Sequence, residues 1–307
     1  MESPAEKFGE SQAEPLTASK VLSDYVQLTK PRIVVMILVT TTATAIIGAG
    51  GLIAGGELFR LLLATAAVAA SAGAANQVWE RVIDQRMSRT ANRPLPSGRM
   101  RTIPAVIYTA TLGLVGTVLL QVWFGTAPAI AGAATWLMYV LIYTPMKTRS
   151  AWNTTIGAIA GALPVLIGYT ATGGSVTDWT GWLLVGVLVA WQYPHFMAIA
   201  WMYRRQYDEA GFRMTTTVEP TGRSAGWQSI AGSLALIVCG IALGCLPGGW
   251  IGSSVAAIGV FLSTYPMLRA SLRFAADPTD VLARKLLRSS LLVLPAVLAI
   301  VTFRVFW

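Results

Sequence analysis

The sequence predicts an all-α membrane protein, a bundle of about nine transmembrane helices, and three observations carry that prediction. Of its 307 residues 54% are hydrophobic and only 12% charged, where a soluble domain carries about 25% charged residues; the mean hydropathy is +0.59. Apolar segments of about 20 residues, the length that crosses a bilayer, follow one another with short breaks. Finally, 21 of the 23 lysines and arginines fall in alternate gaps between those segments, the pattern of a chain that keeps its basic loops on one side of a membrane. Length alone would allow about two soluble domains, but the run of apolar segments reads as one membrane domain, residues 25–307.

The elements follow in order. Residues 1–24 are polar, carry Glu2, Glu6, Glu10 and Glu14, and lack the apolar core of a signal peptide. Transit peptides are acid-poor, so these residues read as a disordered cytoplasmic tail. Spans are expected at about 33–50, 58–80, 103–124, 127–146, 151–171, 180–203, 227–246, 248–268 and 288–306. Gly125, Pro128, Pro145, Gly173, Gly174, Pro247 and Gly248 mark most of the breaks, since glycine and proline punctuate helices. Basic residues sit before the first span and after the second, fourth, sixth and eighth; only Arg60 and Arg304 lie on the other side. The N-terminus is therefore expected in the cytoplasm and the C-terminus outside, as in the inner membrane of a bacterial cell.

Composition also excludes classes. The net charge of +9 suits nucleic acid only when it lies on one soluble face, and here it is spread between apolar spans. Cys239 and Cys245 lie in an apolar run at a spacing that does not suit a metal pair, nothing suggests a disulfide, and they read as core residues. Eleven tryptophans and nine tyrosines lie mostly near span ends, as an aromatic belt at the membrane surface requires; some of their faces are candidates to line a channel and shield a cation.

One helix end stands out. Asn76, Glu80 and Asp84 recur every four residues where the second span closes, and Arg86, Arg89, Arg93, Arg99 and Arg101 follow at once. Positions i, i+4 and i+8 fall near one helix face. Acids at a membrane boundary are expensive, so such a row marks a functional site. Two carboxylates and an amide suit Mg²⁺, which takes few protein oxygens and completes its shell with substrate phosphates. Helix-end polarity pairing with the nearby arginines is the plainer reading of the same residues. A site on the basic face would meet a charged head group, while the spans take an apolar tail.

The run from Asn76 through Glu80, Asp84, Arg89, Thr90, Arg93 and Pro94 resembles the first aspartate-rich motif of the UbiA superfamily, the intramembrane prenyltransferases, which permits Glu at its middle position. Further segments match: Leu28-Thr29-Lys30-Pro31-Arg32, Arg93-Pro94-Leu95-Pro96-Ser97-Gly98, and Tyr143-Thr144-Pro145-Met146-Lys147-Thr148-Arg149. Asn153-Thr154-Thr155-Ile156-Gly157-Ala158, Gly161-Ala162-Leu163-Pro164 and Trp191-Gln192-Tyr193-Pro194-His195-Phe196 resemble the branch of that superfamily that farnesylates heme. The resemblance covers most of residues 25–225.

It implies an enzyme whose Mg²⁺, held by Asn76, Glu80 and Asp84, binds the diphosphate of farnesyl diphosphate. Lys147 and Arg149 are then catalytic, steadying the leaving group, with Arg89, Arg93 and Tyr143 binding substrate. Protoheme IX is the implied acceptor and His195, the sole histidine, its implied contact, imidazole being a common heme-iron ligand. Heme O would be the product, passed to a downstream heme-modifying enzyme, with membrane lipid as surroundings. Family members usually carry Asp before the tyrosine of a second polar stretch. Here Arg204-Arg205-Gln206-Tyr207 has none, and Asp208 follows. Gln206 supplying an amide oxygen, Asp208 substituting, and a single Mg²⁺ all fit. A quinone-precursor or chlorophyll-type acceptor is the alternative within the superfamily, and a membrane transporter the alternative outside it; the sequence shows no internal repeat of the kind transporters carry.

Overall fold

Pro31 opens the first span at the position where its missing N–H costs nothing, and eight more spans follow in a computed structural model that describes residues 17–307. Among the described residues the nine helices able to cross a membrane are Pro31–Ala49, Gly55–Glu80, Thr102–Phe124, Thr126–Met146, Asn153–Ala171, Trp179–Met202, Arg223–Cys245, Trp250–Ala276 and Asp280–Phe306. No strand occurs among them. The expected all-helical fold and its nine spans are observed, and the chain is an integral membrane protein.

Two expected boundaries move. The first 16 residues of the predicted tail lie outside the described residues, but the tail does not extend to residue 24, because Ala18–Leu28 is helical. Arg99 draws that helix down, its Nη2 3.0 Å from Asp24 Oδ1 and donating to Gln27 Oε1 at 3.0 Å. Gln77 Nε2 donates to the Leu28 carbonyl at 2.8 Å, and the rings of Tyr25 and Tyr108 meet edge to face. The second change is at the eighth and ninth spans. Arg269, Arg273, Arg284, Lys285 and Arg288 were expected around a long loop, but the helices run on to Ala276 and restart at Asp280. Arg and Lys are good helix formers whose long stems reach water from an apolar surface, so charge there does not end the helix.

Small residues let the spans approach. Gly168 of the fifth span faces the first, where an added Cβ would meet the Thr41 carbonyl and Thr44 Oγ1; close backbone approach of this kind replaces the missing hydrophobic drive between helices in lipid. Gly168→Val should cost about 1–3 kcal/mol through overpacking. Thermal unfolding in detergent checks it, and an unchanged midpoint would contradict the contact. Gly161 gives room to the Gln192 side chain of the sixth span, which donates to the Ala158 carbonyl at 2.8 Å. Leu163 and Pro164 divide the fifth span into two helices, Asn153–Ala162 and Pro164–Ala171.

The surface is what a bilayer requires. Trp79, Trp152, Trp179, Trp227, Trp250 and Trp307 are exposed at span ends, as the predicted aromatic belt demands. The cysteines depart from expectation: Cys239 is half-buried and Cys245 exposed, and outward apolar positions of a membrane helix tolerate them. At the end away from the basic loops, buried Arg304 donates to the carbonyls of Gly244, Gly248 and Trp307, which satisfies a charge that would otherwise be costly.

Candidate functional site

The second span ends at Glu80, and Asp84 lies beyond it in a separate 3₁₀ turn, Ile83–Arg86. The row predicted on one helix face is thus two side chains on the helix and one on the turn that follows. Thr90 fixes that turn by donating Oγ1 to the Asp84 carbonyl at 2.8 Å. All three side chains are almost fully buried, Asn76 at 0%, Glu80 at 4% and Asp84 at 1% exposure.

Each of the three meets its own cation. Lys30 Nζ donates to Asn76 Oδ1 at 2.5 Å, Lys147 Nζ lies 2.7 Å from Glu80 Oε1, and Arg93 Nη1 donates to Asp84 Oδ2 at 2.6 Å. The direction of the Asn76 amide is set from the other side: its Nδ2 donates to Thr144 Oγ1 at 3.1 Å, and that hydroxyl donates to the Tyr139 carbonyl at 2.8 Å. The Asn76 oxygen therefore faces the ammonium.

In the sequence Lys30 counts as one of the basic residues before the first span and as part of a family segment, with no role at the site. Its partner lies 46 residues away, which spacing does not reveal. It is the one non-glycine residue with positive φ among the described residues, at +55°, a left-handed conformation costing of order 1–3 kcal/mol that persists where its surroundings over-determine it. Lys147 leaves the fourth span just after a six-residue π-helical turn, Met138–Tyr143, that carries Tyr139 and Tyr143; such turns are frequent at functional sites. The ammonium sits 4.7 Å from the centre of the Tyr143 ring, a cation–π distance.

Electrostatics follow from burial. Asp84 has its pKa raised from the ordinary carboxylate value chiefly by burial, with Arg93 opposing and the Glu80 carboxylate adding to the rise. The two acids thus feel each other. Burial lowers the pKa of Lys30, with Glu80 among the groups working against it. Lys147 is also pulled down by burial, but Glu80 with Tyr143 and Tyr139 together outweigh this and its pKa ends raised.

The basic loops fold together over this end. Arg213 N donates to the Lys147 carbonyl at 2.7 Å, and Asn153 Nδ2 to the Arg213 carbonyl at 2.8 Å. Met87, Ala210 and Phe212 form a small buried cluster with Tyr207 against it. Arg89 lies 4.9 Å from the centre of the Tyr203 ring and its Nη2 donates to Tyr207 Oη at 3.4 Å. Arg89 thus ties two loops together and does not contact the acidic row. Arg149 is exposed beyond the fourth span, without a side-chain partner among the described residues. Among the described residues, exposed Asp208 has no ion-pair partner and the half-buried Gln206 side chain no hydrogen-bond partner.

His195 is not joined to the row by any contact. It stacks on Trp191, ring centres 4.8 Å apart, and its Nδ1 lies 2.9 Å from Ser290 Oγ of the ninth span. Ser290 commits its hydroxyl proton to the Leu287 carbonyl at 2.7 Å, so Oγ accepts from Nδ1–H. The Nε2 lone pair is thereby left free, the form in which imidazole ligates a metal.

The residues present fit a divalent cation. The donors are all oxygen, as a hard ion requires, and Asp84 Oδ1 is sealed from solvent with no hydrogen-bond partner. Among the described residues no cluster of three or more His, Cys, Asp or Glu side chains occurs, so the set is two carboxylates and an amide.

The same bundle is found in solved membrane enzymes. A structure of digeranylgeranylglyceryl phosphate synthase matches with a TM-score of 0.73 at 16% identity, covering 92% of this chain and 98% of that one. A UbiA homologue from Archaeoglobus fulgidus, bound to DMAPP and Mg²⁺, matches at 0.66 and 15%, covering 91% and 99%. The fold is thus that of the UbiA homologues. The chain belongs to the UbiA prenyltransferase family, whose model matches residues 37–292, and it is a prenyltransferase. Along its length it is similar to the protoheme IX farnesyltransferase of Rhodopirellula baltica, 59% identical over 283 residues, 91% of this chain and 99% of that protein. The protein of the same description from Solibacter usitatus is 37% identical over 287 residues, 90% and 96% respectively.

Proposed function

We propose that this chain transfers a farnesyl group from farnesyl diphosphate to a vinyl group of protoheme IX, giving heme O and diphosphate, in supply of hemes for terminal oxidases. The acceptor rests on the full-length likeness to protoheme IX farnesyltransferases. The observation that carries the chemistry is the set of three buried oxygen-bearing side chains, each facing its own cation, at the basic end of the bundle.

Asn76, Glu80 and Asp84 are the residues that would hold Mg²⁺, and the ion would supply charge neutralisation to the diphosphate oxygens. Lys147, Lys30 and Arg93 already point at those residues, and donate to the leaving diphosphate as the C–O bond breaks. The apolar spans hold the farnesyl tail and keep water from the allylic cation. The terminal vinyl carbon bonds to the farnesyl C1; the cation left beside the macrocycle takes a water oxygen and releases a proton, leaving a hydroxyethylfarnesyl group. His195 presents its free Nε2 to the heme iron, with Ser290 and Trp191 fixing the ring. Removing it in His195→Ala should abolish the Soret shift on heme addition, and an unchanged titration would remove His195 from the heme site.

Exposed Asp208 supports a single cation at the acidic row over a second site. Exposed Arg149 and half-buried Gln206 meet substrate only if the basic loops close over it. The basic loops face the cytoplasm of a bacterial cell, with the C-terminus outside, as positive-inside bias supports. Heme O leaves through lipid to a downstream heme-modifying enzyme. Release of inorganic diphosphate from farnesyl diphosphate tests the acceptor: it should require protoheme IX. Equal release with a quinone precursor or a chlorophyll-type acceptor, and none with heme, would overturn the assignment.

A further inference from the structure

Asn76, Glu80 and Asp84 are each already paired with a cation of the chain. Lys30 holds Asn76, Lys147 holds Glu80 and Arg93 holds Asp84. Two carboxylates against three cations leave this buried cluster with one excess positive charge. A bare dication would add two more in a medium that screens charge poorly, and would strip three cationic groups of their acceptors. A diphosphate removes both objections at once: it brings compensating negative charge, and its oxygens accept from the displaced ammonium and guanidinium groups.

We propose that Lys30, Lys147 and Arg93 close the ligand set against a bare divalent cation, so that metal and prenyl diphosphate enter as one unit. The proposal rests on the reading of Asn76, Glu80 and Asp84 as the metal site. Lys30 is its most specific element. Its ammonium lies on the amide oxygen, a neutral ligand that needs no counter-ion, and its backbone takes a left-handed conformation there. Thr144 holds the Asn76 amide from the opposite side, so the oxygen cannot turn away from whichever cation occupies the position.

The coupling is reciprocal, as any linkage between two ligands must be: diphosphate tightens the metal and the metal tightens diphosphate by the same factor, typically about 5–150-fold. The test is Mn²⁺ binding to the purified full chain in detergent, with and without inorganic diphosphate, read from loss of the free-ion electron paramagnetic resonance signal beyond that in the same mixture without protein. The wild-type protein should bind Mn²⁺ weakly alone and at least about tenfold more tightly with diphosphate. In Lys30→Met the bare ion should bind several-fold more tightly than in wild type, and the gain from diphosphate should shrink; Lys30→Arg should keep the wild-type behaviour.

Equal Mn²⁺ affinity with and without diphosphate in the wild-type protein overturns the proposal, and does so whether or not the variants fold. A Lys30→Met protein that binds bare Mn²⁺ less well than wild type also overturns it, because Lys30 would then support Asn76 and not compete for it. Absence of Mn²⁺ binding under both conditions, with diphosphate still bound, would fail the metal-site reading itself and the proposal with it.

Discussion

Glu80→Gln and Asp84→Asn should each lower turnover by at least about a thousandfold while the protein still folds, since single groups that stabilise charge in a transition state are worth about 10²–10³ and the proposed metal site loses a ligand as well. The amide variants are the informative ones. Both carboxylates are buried and paired, so truncation to alanine would strand Lys147 or Arg93 and mix a folding defect with a catalytic one. Amides keep the volume and an oxygen but remove the charge that a hard cation needs. Initial rates of diphosphate release, beside a thermal unfolding curve in the same detergent, separate the two. Near wild-type turnover in either variant would refute the metal assignment.

Lys147→Met should act on stability and activity together. It leaves the Glu80 carboxylate buried without its ion-pair partner, and breaking one side of a buried pair costs about 3–5 kcal/mol. The same change removes the cation proposed to meet the leaving group. Adding Glu80→Gln to Lys147→Met should recover most of the lost stability, because no charge is then left unpaired, but none of the activity. A double variant no more stable than Lys147→Met alone would mean that the pair contributes through packing and not through charge.

What the sequence made legible was whatever physics writes locally. Hydropathy placed all nine spans within a few residues, except where arginine-bearing helix ends at 269–276 and 280–288 looked like loop. The row of Asn76, Glu80 and Asp84 was legible from spacing, although its last member leaves the helix because the turn is held by Thr90. Contacts across the chain were not legible. Lys30 meets Asn76 from 46 residues away and His195 meets Ser290 from 95; neither pairing has a periodicity to announce it. Arg89 and Arg149 illustrate the converse. Motif membership suggested a substrate role for both, whereas the folded chain places one on tyrosines of a neighbouring loop and the other on the exposed rim. The fifth span's small residues were legible as a family segment, but their purpose, room for Gln192 and close approach of the first span, appears only in three dimensions.

Mass spectrometry of the heme extracted after incubating the purified protein with protoheme IX, farnesyl diphosphate and Mg²⁺ tests the central claim most directly. The wild-type protein should give a heme heavier by one farnesyl group and one hydroxyl group, a product lost on chelation of the metal and lost in Asp84→Asn. Unmodified heme from a folded, substrate-saturated protein would contradict it.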